Sequence, residues 1–145
     1  MFKHILIATD GSDLARKAVD TGLNLAALLK AKVTAITATE PFSAMMGDAA
    51  PAVVFPIEDY EAAAAENAAR ILSVVNALAG RKGVACVTAH ARDFPAEAII
   101  EAAKARGCDL IVMSSHGRRG VSRLLLGSQA ARVVTLSTIP VLVCR

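Results

Sequence analysis

The stretch from His4 to Lys30, HILIATDGSDLARKAVDTGLNLAALLK, joins two hydrophobic periods through a polar turn, and that junction decides the fold. His4 to Thr9 is an apolar run too short for a helix and suited to a buried strand. Asp10-Gly11-Ser12-Asp13 supplies turn and helix N-cap residues. From Leu14 to Lys30 the apolar positions Ala15, Ala18, Val19, Gly22, Ala26 and Leu29 follow helical spacing. The unit is strand, turn, helix.

The same unit repeats outward along the chain. Lys32 to Thr39 is a β-branched strand closing at Glu40-Pro41, and residues 41–56, with Pro41, Gly47, Pro51 and Pro56, have no period and predict a long loop of the lid kind. Ile57 to Ala79 is an Ala-rich helix with Gly80 placed as its C′ glycine, followed by a strand from Val84 to Ala89. Pro95 opens a helix that runs to Arg106 and is closed by Gly107. Asp109 to Met113 is a strand, Gly127-Ser128 starts a helix through about Leu136, and Pro140 to Cys144 is the last strand. Strands separated by helices of this length pair in parallel with right-handed crossovers. The expectation is α/β: a five-stranded parallel doubly wound sheet in one domain spanning residues 1–145, without internal repeat or linker.

Composition narrows the function. With 54% hydrophobic, 20% charged and 3% aromatic residues, the chain is neither disordered nor a small stapled scaffold, and its core comes from Ala, Val, Leu and Ile. The net charge of +3 is spread along the chain apart from a knot at Arg118, Arg119 and Arg123, too small an excess for bulk nucleic-acid binding and better suited to a small anion. The apolar run of MFKHILIATD stops at Asp10, too early for a signal peptide. No segment reaches the roughly 18 uncharged apolar residues of a membrane span, so the expected location is the cytoplasm. Cys86, Cys108 and Cys144 are scattered and read as small core residues in a reducing compartment. His4, His90 and His116 share no metal-ligand spacing with one another or with a cysteine.

In a doubly wound sheet the ligand lies beyond the carboxyl ends of the strands, where strand order reverses. Two segments fall at such ends: Ala8-Thr9-Asp10-Gly11-Ser12, and the stretch from Ser114 to Ser128. In the second, Gly117 and Gly127 permit close backbone approach. The first-turn amides of Ser128, Gln129 and Ala130 lack intrahelical acceptors and, with the helix dipole, suit an anion. Arg118, Arg119 and Arg123 lie between the two glycines and add positive charge. The bland alternative is an ordinary loop with a helix N-cap and solvated arginines. Neither a P-loop nor a dinucleotide fingerprint is present.

IATDGSDLARKAVD, CDLIVMSSHGRRGVSRLLLGSQAARVV and the ending PVLVCR resemble the universal stress protein family, and element order agrees along the whole chain. The motif of the family's nucleotide-binding branch is Gly-x2-Gly-x9-Gly-[Ser/Thr]; this chain has Ser114-x2-Gly117-x9-Gly127-Ser128. The resemblance implies a Rossmann-like fold of the adenine nucleotide alpha hydrolase type and a ligand that is ATP, AMP or another adenine nucleotide, with Mg²⁺ held through it. It also implies a nucleotide-dependent regulatory switch in stress response, at most a slow ATPase, with an unidentified protein partner.

Residue by residue, the resemblance puts Ala8 and Ala38 against adenine and Met113 and Ser114 beside adenine and ribose. Gly117, Gly127, Ser128 and Gln129 take the phosphates. Asp10 would face ribose or a phosphate-bound Mg²⁺, its alternative role being to cap the first helix. His116 reads as a loop residue, because no nucleophile or carboxylate accompanies it in sequence.

Two positions depart from the family pattern. Ser114 replaces the first glycine, and if that position required a glycine-only conformation it would cost about 1–2 kcal/mol. Asp93-Phe94-Pro95 stands where Gly-x-Pro is common. The competing reading is an interaction module of the same fold without nucleotide, favoured by Ser114 and opposed by Gly117, Gly127 and Ser128. A nucleotidyltransferase would need a histidine after strand one, and a receiver domain a lysine where Ile139 stands. Pro140 to Cys144 is expected at an open sheet edge, paired with the same strand of a second copy in a homodimer.

Overall fold

The structure, a computed structural model, describes residues 1–47, 56–117 and 126–145. Arg118, Arg119 and Arg123, and Pro51 in the expected lid, lie outside the described residues.

The elements run β1 (His4–Ala8), α1 (Asp13–Leu29), β2 (Lys32–Thr39), α2 (Phe42–Met46), α3 (Ile57–Arg81), β3 (Cys86–Arg92), α4 (Pro95–Ala105), β4 (Leu110–Ser114), α5 (Ser128–Leu136) and β5 (Val141–Cys144). The five strands form one parallel sheet in the order β3-β2-β1-β4-β5. The chain steps outward from β1 through β2 to β3, then crosses back to β4 on the other side of β1. The reversal between β1 and β4, in register at Ile7 with Val112, is the switch point of the doubly wound topology.

Strand periodicity sorts the core into two layers. Ile5, Ile7, Val33 and Val112 point to one face and pack with Leu23 of α1 and Leu72 and Val75 of α3. Leu6, Ile36, Ile111 and Met113 point to the other and pack with Ile99 of α4 and Val133 of α5. Because β1 and β4 are covered on both faces, every residue of each is buried. That explains their unbroken apolar runs.

Three expectations change. The loop after Pro41 contains a short helix, Phe42–Met46, held where Phe42 and Tyr60 meet with ring centroids 5.2 Å apart. The helix α3 continues through Gly80 to Arg81, and the positive φ of +67° belongs to Gly83 instead. Finally, β3 runs Cys86–Arg92 rather than Val84 to Ala89, pairing Cys86 with Val33 and Arg92 with Thr39. Of the three cysteines, Cys108 is buried just ahead of β4, while Cys86 and Cys144 are half-buried.

Among the described residues, no helix is long and apolar enough to cross a membrane. Also among the described residues, no group of three or more His, Cys, Asp or Glu side chains is arranged to hold a metal ion.

Candidate functional site

A cavity of about 600 Å³ opens beyond the carboxyl ends of β1, β2 and β4. Its volume falls within the range of small-molecule sites, roughly 300–1,000 Å³. Ala8, Asp10, Ala38, Met113, Ser114, Gly117, Gly127, Ser128 and Gln129, the residues singled out from the sequence, all line it. Thr9, Ile36, Glu40, Pro95, Ile99, Ser115, His116 and Ala130 line it as well.

The turn after β1 is built by its own side chains. Oγ1 of Thr9 accepts from the Gly11 N–H at 3.2 Å, and Oδ1 of Asp10 accepts from the Ser12 N–H at 2.9 Å. Ser12 is the N-cap of α1, its Oγ accepting from the Ala15 N–H at 3.2 Å. Asp10 therefore does not cap the helix; it holds the turn one step earlier and presents its carboxylate to the cavity.

The end of β4 is tied to its neighbours through Ser115. Its N–H donates to the Cys144 carbonyl at 2.7 Å, and its own carbonyl accepts from the Gly127 N–H at 2.8 Å. Ser115 thus bolts β4 to β5 and to the start of α5, a role invisible in sequence because both partners are distant. Ser114 is an ordinary strand residue opposite Cys144, and no positive φ occurs there. The glycine-only cost considered for it is not incurred. Its hydroxyl donates to the His116 carbonyl at 2.7 Å and closes the turn that leads to Gly117.

Gly117 and Gly127 are required for space and not for a left-handed backbone. A Cβ on Gly117 would meet Oδ2 of Asp10 at 2.8 Å, and one on Gly127 would meet the Ser115 carbonyl at 3.0 Å and Cδ2 of His116 at 3.3 Å. Gly127 is the N-cap of α5 with no side-chain acceptor over the first turn, so that turn opens on the cavity with donors outward. His116 accompanies Ser115, Nδ1 lying 3.1 Å from its Oγ, while its buried Nε2 has no hydrogen-bond partner among the described residues.

The lining divides chemically. Ala8, Ile36, Ala38, Ile99 and Met113 make an apolar floor. Ser128, Gln129 and the two glycines make a donor-rich wall. Among the described residues the charged lining groups are two carboxylates, Asp10 and Glu40. Among the described residues the groups that suit an anionic ligand are the backbone donors at the start of α5, and a divalent cation carried with the ligand would lie between its phosphates and Asp10. That donor set fits Mg²⁺, which is usually bound by one or two carboxylates together with ligand phosphates rather than by a protein cage. Asp10 is the residue that would hold it.

A parallel doubly wound sheet with a cavity at its switch point defines a class of ligand-binding α/β proteins. The chain belongs to the universal stress protein family, whose model matches residues 1–145. It is 32% identical to the universal stress protein YxiE of Bacillus subtilis strain 168 over 148 residues, covering 100% of both chains. Among solved structures it is similar to the universal stress protein UspA from Lactobacillus plantarum, with a TM-score of 0.77 and 29% identity over 99% of this chain and 97% of that one. It is also similar to a universal stress protein crystallised in complex with cAMP, with a TM-score of 0.71 and 26% identity over 99% of this chain and 97% of that one.

Proposed function

We propose that this protein binds an adenine nucleotide, ATP with Mg²⁺ in the first place, in the cavity between Asp10 and Gly127, and acts as a nucleotide-dependent regulatory switch in stress response. The observation that carries the reading is the pairing of an apolar floor with an uncapped helix start in one cavity. A purine needs the first and a phosphate the second. A related protein's complex with cAMP supports the same chemistry at 26% identity.

In this reading Ala8 and Ala38 border the adenine, and Met113 and Ser114 border adenine and ribose. Gly117, Gly127, Ser128 and Gln129 receive the phosphates, and Asp10 takes the ribose hydroxyls or the Mg²⁺. Mg²⁺ would supply charge neutralisation between the phosphates and Asp10. The chain contributes positioning, and this reading has any turnover at most slow.

The same reading has residues 1–145 act as one domain in the cytoplasm, as a homodimer. Strand β5 bonds to β4 on one side only. Leu142 of β5, at 36% exposure, leaves apolar surface on that edge strand. A two-fold partner pairing β5 with itself would cover the edge and close the assembly.

Native mass spectrometry of the protein purified without added nucleotide tests both points. The expected spectrum is a dimer with adenine nucleotide retained or readily taken up from Mg-ATP. A nucleotide-free protein that takes up none would leave the interaction-module reading.

A further inference from the structure

The carboxamide of Gln129 lies in the seam between the first turns of α4 and α5. Oε1 accepts a hydrogen bond from the Ala96 N–H at 3.0 Å. Since a backbone N–H can only donate, the oxygen belongs on that side and Nε2 is the other arm.

Helix α4 needs this bond. Its N-cap position is Phe94, whose side chain offers no acceptor, and the neighbouring Asp93 uses Oδ1 on the Phe94 N–H at 2.7 Å. Ala96 is fully buried, so without Gln129 its N–H would be a first-turn donor with neither water nor acceptor. The cap of α4 therefore comes from α5. A second tie runs along the seam, where Nε of Arg132 donates to Oε1 of Glu97 at 2.7 Å. Nε2 of Gln129 donates to no group among the described residues, while Gln129, Pro95 and Ile99 all line the cavity.

We propose that Gln129 is a positioning and selectivity residue for the ligand's phosphate. Nε2 donates to a phosphate oxygen while Oε1 holds the first turn of α4. The wall bearing Pro95 and Ile99 is thereby set by the side chain that reads the ligand. This assignment rests on the nucleotide reading above, and it makes phosphorylated and unphosphorylated ligands unequal: adenosine fills the apolar floor without engaging the seam.

The test compares wild type, Gln129→Glu and Gln129→Leu by thermal melting without ligand and by calorimetric titration with Mg-ATP and with adenosine. Glutamate keeps an acceptor for Ala96 and suits a helix N-terminus, but it loses the donor and sets a negative charge against phosphate. Leucine loses both arms. The expected result is that Gln129→Glu melts close to wild type and Gln129→Leu clearly lower. Gln129→Glu should also lose on the order of ten- to a hundredfold in Mg-ATP affinity, with adenosine affinity unchanged. Equal Mg-ATP affinity in wild type and Gln129→Glu, a parallel loss of adenosine, or a Gln129→Glu protein melting as low as Gln129→Leu would overturn the assignment. A wild type that binds neither ligand overturns the nucleotide reading itself and this proposal with it, and is recognised without any variant.

Discussion

A Cβ added to Gly117 would stand 2.8 Å from Oδ2 of Asp10, so the turn after β4 and the turn after β1 meet with room for a hydrogen and nothing larger. The contact joins the two strand ends that flank the switch point. The other carboxylate oxygen of Asp10, Oδ1, accepts from the Ser12 N–H at 2.9 Å, so a displaced carboxylate would disturb the turn after β1 as well.

Gly117→Ala should therefore displace the Asp10 carboxylate. The atom met is the far end of a side chain, so the cost to stability should be small, while a shift of that carboxylate should weaken Mg-ATP binding by roughly tenfold or more. Calorimetry beside a urea melt separates the two effects. Unchanged affinity would mean that Asp10 and Gly117 do not shape the site together.

Gly127 acts differently. A side chain there would press on the carbonyl of Ser115, which accepts the Gly127 N–H at 2.8 Å, as well as narrow the phosphate end. Gly127→Val should lose nucleotide binding and also lower stability by about 1–3 kcal/mol, read as a shift in urea midpoint with binding measured in parallel. A variant with wild-type affinity would remove the α5 start from the site.

Much of this arrangement is legible in the chain and part of it is not, for physical reasons. Gly117 and Gly127-Ser128 stand out because their spacing falls after a strand and before a helix, where topology puts ligands. Ser115 does not stand out, and neither does the tie that Gln129 makes to α4, since the bonds to Cys144 and Ala96 join residues that only the folded sheet brings together. Gly80 misleads because one helical glycine costs only about 1 kcal/mol relative to alanine, which the surrounding Ala-rich helix tolerates. The end of β3 misleads because an edge strand packed mainly on one face carries Thr88, His90 and Arg92 among its small residues, so the apolar signal stops before the ladder does. The five-residue helix Phe42–Met46 is too short to display any period.

Acid should destabilise the fold through His4. Its Nε2 lies 2.9 Å from Oγ1 of Thr34 in a buried position. Burial first, and the Lys32 charge second, hold its pKa below the ordinary value of 6.5, against the Arg106 carbonyl and the Asp109 charge. The His90 pKa is lowered too, by burial and then by Arg92. With the folded value below the unfolded one, the unfolded chain binds more protons, so stability is intact above about pH 6.5 and falls as pH drops below it. Urea midpoints between about pH 7.5 and 5 should decline, and His4→Gln should flatten the decline. A slope that His4→Gln leaves unchanged would assign it elsewhere. Asp109 titrates below this window: desolvation raises its pKa, but the N–H donors of Lys3, His4 and Asp109 itself outweigh that and leave it lowered.

Assembly gives a separate check. Light scattering should report about twice the 15.0 kDa chain mass. Leu142→Pro, which breaks the open side of β5, should yield monomers. A wild type that is monomeric at high micromolar concentration contradicts the dimer.

Hydrolysis should be slow. Turnover of Mg-ATP, followed by phosphate release, should lie far below the order of 10 s⁻¹ typical of enzymes. A rate near that figure would contradict the reading of the protein as a nucleotide-dependent switch.

The most direct test of the central claim is calorimetric titration of the purified wild-type protein with Mg-ATP. Saturable binding in the micromolar range, about 8 kcal/mol, competed by other adenine nucleotides, is the expected result. No heat and no competition up to millimolar concentration would contradict it.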